Sequence, residues 1–378
     1  MTTRNASIRF GDNNFLTDLA AANIAVSSEM ANFGKANLTN AQRTKVFRFN
    51  GNFTIDATNN KIYINDGSAK TVTLTSASYT ATTLASHVQT QLNASSTNWT
   101  CTYSSTTQKF TIARSSGTDT LRFTQTTAAA WDVLGYTTSA DTSAATVGAA
   151  DEARIHSEEH VTVDLGTATE IKEFHCIGPL GEVFSISSSA TLTLMGNTTN
   201  SWTSPALTVS LTRDAGGIHH YLDTAAGTST NYRYWRFKVV DRTNLLGGQG
   251  FKIGHLYLGD YNTVTTTNVA PGVTKAYRDP TEMAESESGV RFHKTRTVQR
   301  IFENMFIGHI DASDRRALES MFETLGIETP FYLCLDPTNR ASDNLSEVTL
   351  YCRFSGEPRF THLIRDIYSM SLAAIEAV

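Results

Sequence analysis

The chain has 378 residues, 40% hydrophobic and 18% charged, with a formal net charge of −5. That apolar share excludes a disordered chain, no apolar run approaches the ~20 residues of a membrane helix, and the acidic balance argues against a dedicated nucleic-acid binder. At roughly 100–200 residues per domain, the length suggests two or three domains.

Met1-Thr-Thr-Arg-Asn-Ala-Ser-Ile8 lacks the apolar core of about 7–15 residues that a signal peptide needs, so none is expected. Lys45-Val-Phe-Arg-Phe49 reads as a strand with Phe47 and Phe49 on one face. Over residues 51–150 about a third of the positions are Ser or Thr and about a tenth are charged, a composition of extended structure with a polar outer face. Three short strands there carry the inward pairs Phe53/Ile55, Ile62/Ile64 and Val72/Leu74, joined by turns at Thr58-Asn-Asn60 and Asp66-Gly67. Leu84, Val88 and Leu92 recur at helical spacing, which predicts a helix from about Thr82 to Leu92 capped by Thr82 or Thr83. Alternating strands follow at Trp99/Cys101/Tyr103, Phe110/Ile112 and Leu121/Phe123, then a short helical turn at Ala128–Gly135. The whole reads as one small α+β domain.

From Val161 the chain reads as strands without a helix: Val161/Val163/Leu165, Ile171 to Ile177, Leu192/Leu194, Leu207/Val209/Leu211, Trp235/Phe237/Val239 and Phe251/Ile253. That pattern indicates an antiparallel β-sandwich. Residues 263–275 read as a linker. Beyond it the charged share rises to about a quarter. A strand region from Val290 to Ile310 leads into a helix over residues 311–326. Asp311 or Ser313 caps it, Leu318, Met321, Phe322 and Leu325 form its apolar stripe, and Gly326 ends it. Strands at Phe331–Leu335, Val348–Phe354 and Ile367–Leu372 close the chain.

Few patterns point to chemistry. His156-Ser-Glu-Glu159-His160 matches H-x-x-E-H, but it runs into the strand Val161–Leu165, where residues i and i+4 lie ~13 Å apart and cannot share a metal. It is expected to be a solvated polar connector. His219-His220 would point to opposite faces of a strand, and Gly247-Gly248-Gln-Gly250 lacks both the spacing and the following helix of a phosphate loop. Cys101, Cys176, Cys334 and Cys352 form no C-x-x-C pair and read as reduced, buried thiols of a protein made in a cytoplasm. No enzyme, cofactor or metal is expected. Lys294, Arg296, Val298 and Arg300 line a strand face that could meet another subunit, together with the apolar remainder of the strand Ile301–Ile310. Trp202 and Tyr221, if on exposed loops, could stack a sugar.

Three segments carry a resemblance. Val161-Thr-Val-Asp-Leu-Gly166, Ala190-Thr-Leu-Thr-Leu-Met-Gly196 and Tyr232-Arg-Tyr-Trp-Arg-Phe-Lys-Val239 resemble the galactose-binding-like (discoidin) β-sandwich, with residues 24–49 as its opening. Residues 51–150 are similar to small α+β modules of bacteriophage tail proteins, through Lys61-Ile-Tyr-Ile-Asn65, Lys109-Phe-Thr-Ile112 and Trp131-Asp-Val-Leu-Gly135. Arg300-Ile-Phe302, the helix 311–326 and Pro330-Phe-Tyr-Leu-Cys-Leu-Asp336 resemble distal-tail and tail-tip proteins of long-tailed phages.

The fold expected is mainly β and multidomain. Residues 1–50 and 151–262 form a discontinuous sandwich, 51–150 an inserted α+β domain, 263–275 a linker, and 276–378 a ring-forming α+β or β-barrel-like domain. The resemblance implies a structural virion protein forming a ring, six copies favoured and three second. It would lie between the tail tube protein and the tail hub or fibre proteins, with a host surface glycan as a further candidate partner. A carbohydrate-binding or fibre-attachment adaptor is the alternative, and a cell-wall hydrolase a minor one.

Overall fold

The computed structural model describes residues 8–27, 29, 32–49, 53–104, 107, 109–115, 117, 119–136, 140–149, 158–182, 186, 188–214, 216–222, 230–241, 251–264, 269–285, 291–337 and 345–377. The chain is mainly β, with several antiparallel sheets and two long helices. Its buried apolar side chains gather in three large clusters.

The first cluster fills a sandwich. One layer is a five-stranded sheet in the order Leu207–Leu211, Thr191–Asn197, Asn231–Val240, Glu158–Glu170, Ile24–Val26. Alternation along Asn231–Val240 turns Trp235, Phe237 and Val239 inward, and Phe237 meets Phe174 of the opposite layer at 5.1 Å between ring centroids. The Asp-Leu-Gly segment interrupts the ladder as a bulge between Asp164 and Thr169, where Gly166 takes φ +77°.

The opposite layer does not stop at the sandwich. It is part of an eleven-stranded sheet whose path runs Arg213–Asp214, Gly217–Tyr221, Glu173–Ile177, His255–Thr263, Arg9–Asn14, Phe331–Cys334, Thr349–Phe354, Ile367–Glu376, Gln299–Asp311, Thr274–Arg278, with Arg359–Ile364 paired to Ile367–Glu376. Arg9–Asn14 lies between His255–Thr263 of the sandwich and Phe331–Cys334 of the C-terminal part. The segment expected as a linker is therefore partly structure. Val264 is fully buried, Val269 and Val273 pack on the C-terminal cluster, and Thr274–Arg278 is a strand. The large sheet is open rather than a closed barrel.

The C-terminal cluster combines Phe10 and Val264 with Phe302, Ile307, Phe331 and Leu350 under the helix Ala312–Leu325. Asp311 caps that helix, accepting from Ser313 N and Asp314 N at 2.8 Å each, and Gly326 ends it at φ +58°. Leu318, Met321 and Leu325 are its buried stripe, with Phe322 partly buried beside them.

The third cluster belongs to residues 53–149 alone and includes every inward pair expected from alternation there. Its helix starts earlier than expected, at Ala81–Ser95, because Thr80 takes the cap and accepts from Thr83 N at 3.2 Å. All four cysteines are free and buried.

Candidate assembly surface and a sealed polar layer

The strands Thr274–Arg278 and Gln299–Asp311 pair in the large sheet, and the chain leaves it between them as a ribbon of Glu282–Glu285 against Arg291–Lys294. The pairing is continued where Arg296 N donates to Thr281 Oγ1 at 3.3 Å. The paired strand Glu282–Glu285, at about 3.3 Å per residue, makes this part of the arm roughly 13 Å long. Every residue of its two strands is exposed, including Met283 at 75% and Phe292 at 60%. Met283 is opposite His293 and Ala284 opposite Phe292, so the two large apolar side chains lie on opposite faces of the ribbon.

The four interface candidates divide. Lys294 ends the arm's second strand, Arg296 bonds Glu282 at 2.9 Å, and Val298 is 48% exposed where the arm meets the sheet. Arg300 instead turns toward Glu376, its Nε and Nη2 each 3.3 Å from a carboxylate oxygen. Arg43 reaches the same carboxylate at 2.8 Å. Burial works to raise the Glu376 carboxyl, but the two guanidinium groups outweigh it and hold it below its usual range. Arg300 is thus a clamp of the fold. Ile301–Ile310 is also mostly inward: Phe302, Met305, Ile307 and Ile310 are core, and Phe306 alone among its large apolar residues is exposed.

The sugar-stacking candidates divide too. Tyr221 sits in the strand Gly217–Tyr221 at 2% exposure, closed to any ligand from solvent. Trp202 is half-buried in a loop, its Nε1 donates to Asn200 at 2.8 Å, and the Arg236 guanidinium lies 4.4 Å over its ring. In the H-x-x-E-H stretch, Glu159 and His160 belong to the strand Glu158–Glu170 and His156 lies outside the described residues. Glu159 is buried and bonded to Ser27, so it is not the solvated connector that was expected. Gly247, Gly248 and Gly250 also lie outside the described residues.

A feature that sequence reasoning missed lies on the concave face of the large sheet. Phe174, Leu256, Leu258, Phe10, Phe331 and Leu333 face the two apolar cores, whereas their neighbours Glu173, His175, Tyr257 and Tyr332 face the other way. Four strand spacings separate Gly217–Tyr221 from Phe331–Cys334, about 19 Å in a flat sheet. Yet His219 and Tyr332 have centroids 6.2 Å apart and His175 stacks on Tyr332 at 4.1 Å. The sheet therefore curls tightly around this face. His175 Nδ1 meets His219 Nδ1 at 3.0 Å, and His255 stacks on Tyr351 at 4.2 Å with its Nδ1 3.2 Å from the Tyr332 hydroxyl. The Glu173 carboxyl lies over the bare backbone of Gly11, where a β-carbon would overlap Oε1 and sit 3.2 Å from Tyr332 Cβ.

Tyr351 donates to Ala41 O at 2.5 Å, Arg43 reaches Gly178 O, and Leu345 packs on Tyr221 and Cys334, which covers the layer. Burial lowers His175, His219 and His255 to about 3, so all three are neutral, and it raises the Glu173 carboxyl well above its usual range. Glu173, His175 and His255 are buried, and His219 is half-buried at the margin of the layer. Among the described residues no three His, Cys, Asp or Glu side chains converge to hold a metal, and no helix is long and apolar enough to cross a membrane. The only signal for this layer in the sequence is the His219-His220 pair, whose partners come from distant strands. No protein-family model matches the chain, and no curated protein matches it.

Proposed function

We propose that the chain is a non-enzymatic structural subunit of a bacteriophage tail tip, of the distal-tail kind. It assembles through its C-terminal part into a ring of six copies, with three as the second choice, between the tail tube and the hub or fibre proteins of the virion. The observation that carries this reading is the exposed arm. A two-stranded ribbon is marginally stable at best in water, and this one holds an apolar side chain bare on each face. A neighbouring chain that covers it removes both costs, and identical head-to-tail contacts close into a ring when their rotation allows.

The test is solution mass across a concentration series, with negative-stain images of the same samples. Closed rings of six or three copies support the reading. A strict monomer that binds surface glycans supports the adaptor reading instead, for which Trp202, with one ring face covered by Arg236, is the aromatic platform.

A further inference from the structure

The arm's charges are sorted by strand. Glu282–Glu285 carries two carboxylates and no cation, whereas Arg291–Lys294 carries Arg291, Lys294 and His293 and no anion. Each strand is paired on one side only, so among the described residues its outer backbone edge is unpaired. Open edges of this kind recruit further strands, and the side chains flanking them decide which.

We infer that adjacent copies of this chain join arm to arm, the acidic Glu282–Glu285 edge of one lying along the basic Arg291–Lys294 edge of the next. The inference rests on the ring reading above and specifies its contact. An acidic edge opposes an acidic edge unfavourably, as does basic against basic, so a two-fold symmetric pairing of like strands is disfavoured. Acid-to-base pairing is head-to-tail, and head-to-tail contacts propagate around an axis until they close. Side by side, the arms form a continuous belt with Met283 side chains in a row on one surface and Phe292 side chains in a row on the other. The ion pairs inside each arm, Arg291 with Glu285 and Arg296 with Glu282 at 2.9 Å each, are exposed and screened by water, so they leave these groups able to bond across the seam.

The test uses the full chain in two charge-reversed forms, Glu282→Lys with Glu285→Lys, and Arg291→Glu with Lys294→Glu, each checked for an unchanged near-ultraviolet circular dichroism spectrum. Each form alone should need about ten-fold or more protein to reach the wild-type fraction of rings. Mixed in equal amounts they should recover rings, because both edges of one form are then basic and both edges of the other acidic. The recovered rings must alternate and so hold an even number of copies, which allows six and forbids three. Should reversal splay the arm, Glu282→Gln with Glu285→Gln keeps it free of like-charge repulsion and should still weaken assembly several-fold. Rings that form in all variants as readily as in wild type overturn this contact and leave the ring reading standing. A wild-type chain that stays monomeric at every concentration overturns both.

Discussion

At the scale of single residues, the polar layer sets the response to acid. A histidine held neutral by burial binds its proton more weakly folded than unfolded, so stability is complete above about pH 6.5 and falls as pH drops toward 3. His175 and His255 are fully buried and act in this sense, and the half-buried His219 adds to them. Glu173 and Asp12 act oppositely. Burial raises both carboxyls, Asp12 to about 6, so their contribution is complete below about pH 4 and is lost as pH rises through their folded values. Between about pH 6 and 4.5 the two carboxyls offset part of the loss that the three histidines cause. Below that the histidines are unopposed, and the Glu376 carboxylate, held down by its arginines, begins to lose its pairing. Urea unfolding at half-unit pH steps should show a shallow decline to about pH 4.5 and then a steep one, with each unopposed histidine adding up to about 1.4 kcal/mol per pH unit. His255→Phe should flatten the steep limb. A limb unchanged in that variant would mean that His255 titrates normally.

At the scale of elements, the close approach of strands over Gly11 is the most demanding contact. Gly11→Ala should destabilise by about 1–3 kcal/mol, because the new methyl must displace Glu173 or push Arg9–Asn14 away from its neighbours. Chemical denaturation measures this, and Gly11→Ala combined with Glu173→Ala should lose less than the two single losses added together. Local signals located many elements. Asp311 and Gly326 mark a helix through their own cap chemistry, and Ile62/Ile64 mark a strand by alternation. Arg9–Asn14 was not legible. Its sequence, Arg-Phe-Gly-Asp-Asn-Asn, shows no alternation, and both partners are strands far away in the chain. The arm was only half legible. Val290 to Ile310 reads as one strand region in the sequence, and nothing in its composition marks the break between Lys294 and Gln299.

For the whole molecule, the cluster of residues 53–149 shares no buried member with the other two. Its ends also come together: Phe53 packs on Phe110 at 5.6 Å between centroids, and Phe110 O accepts from Ala149 N at 2.8 Å. Closely spaced ends are what a guest inserted in a loop requires. Replacing residues 51–150 with a short Gly/Ser link should therefore leave the remainder folded, and calorimetry should show one unfolding transition lost and another kept. Loss of both would mean that the segment supports its host. The remaining two clusters are not separable in this way, because Arg9–Asn14 is hydrogen-bonded to strands that belong to each.

That strand has a consequence for how the protein is made. Arg9 pairs with Cys334, so the earlier segment must wait for a partner synthesised some 325 residues later. At about 5–20 residues per second the delay is on the order of tens of seconds. Throughout it Phe10 and the backbone of Gly11 lack the partners that later enclose them, whereas residues 53–149 have all of theirs as soon as residue 149 is made. Synthesis rate and chaperone supply, rather than the final stability, should then govern the yield of folded chain.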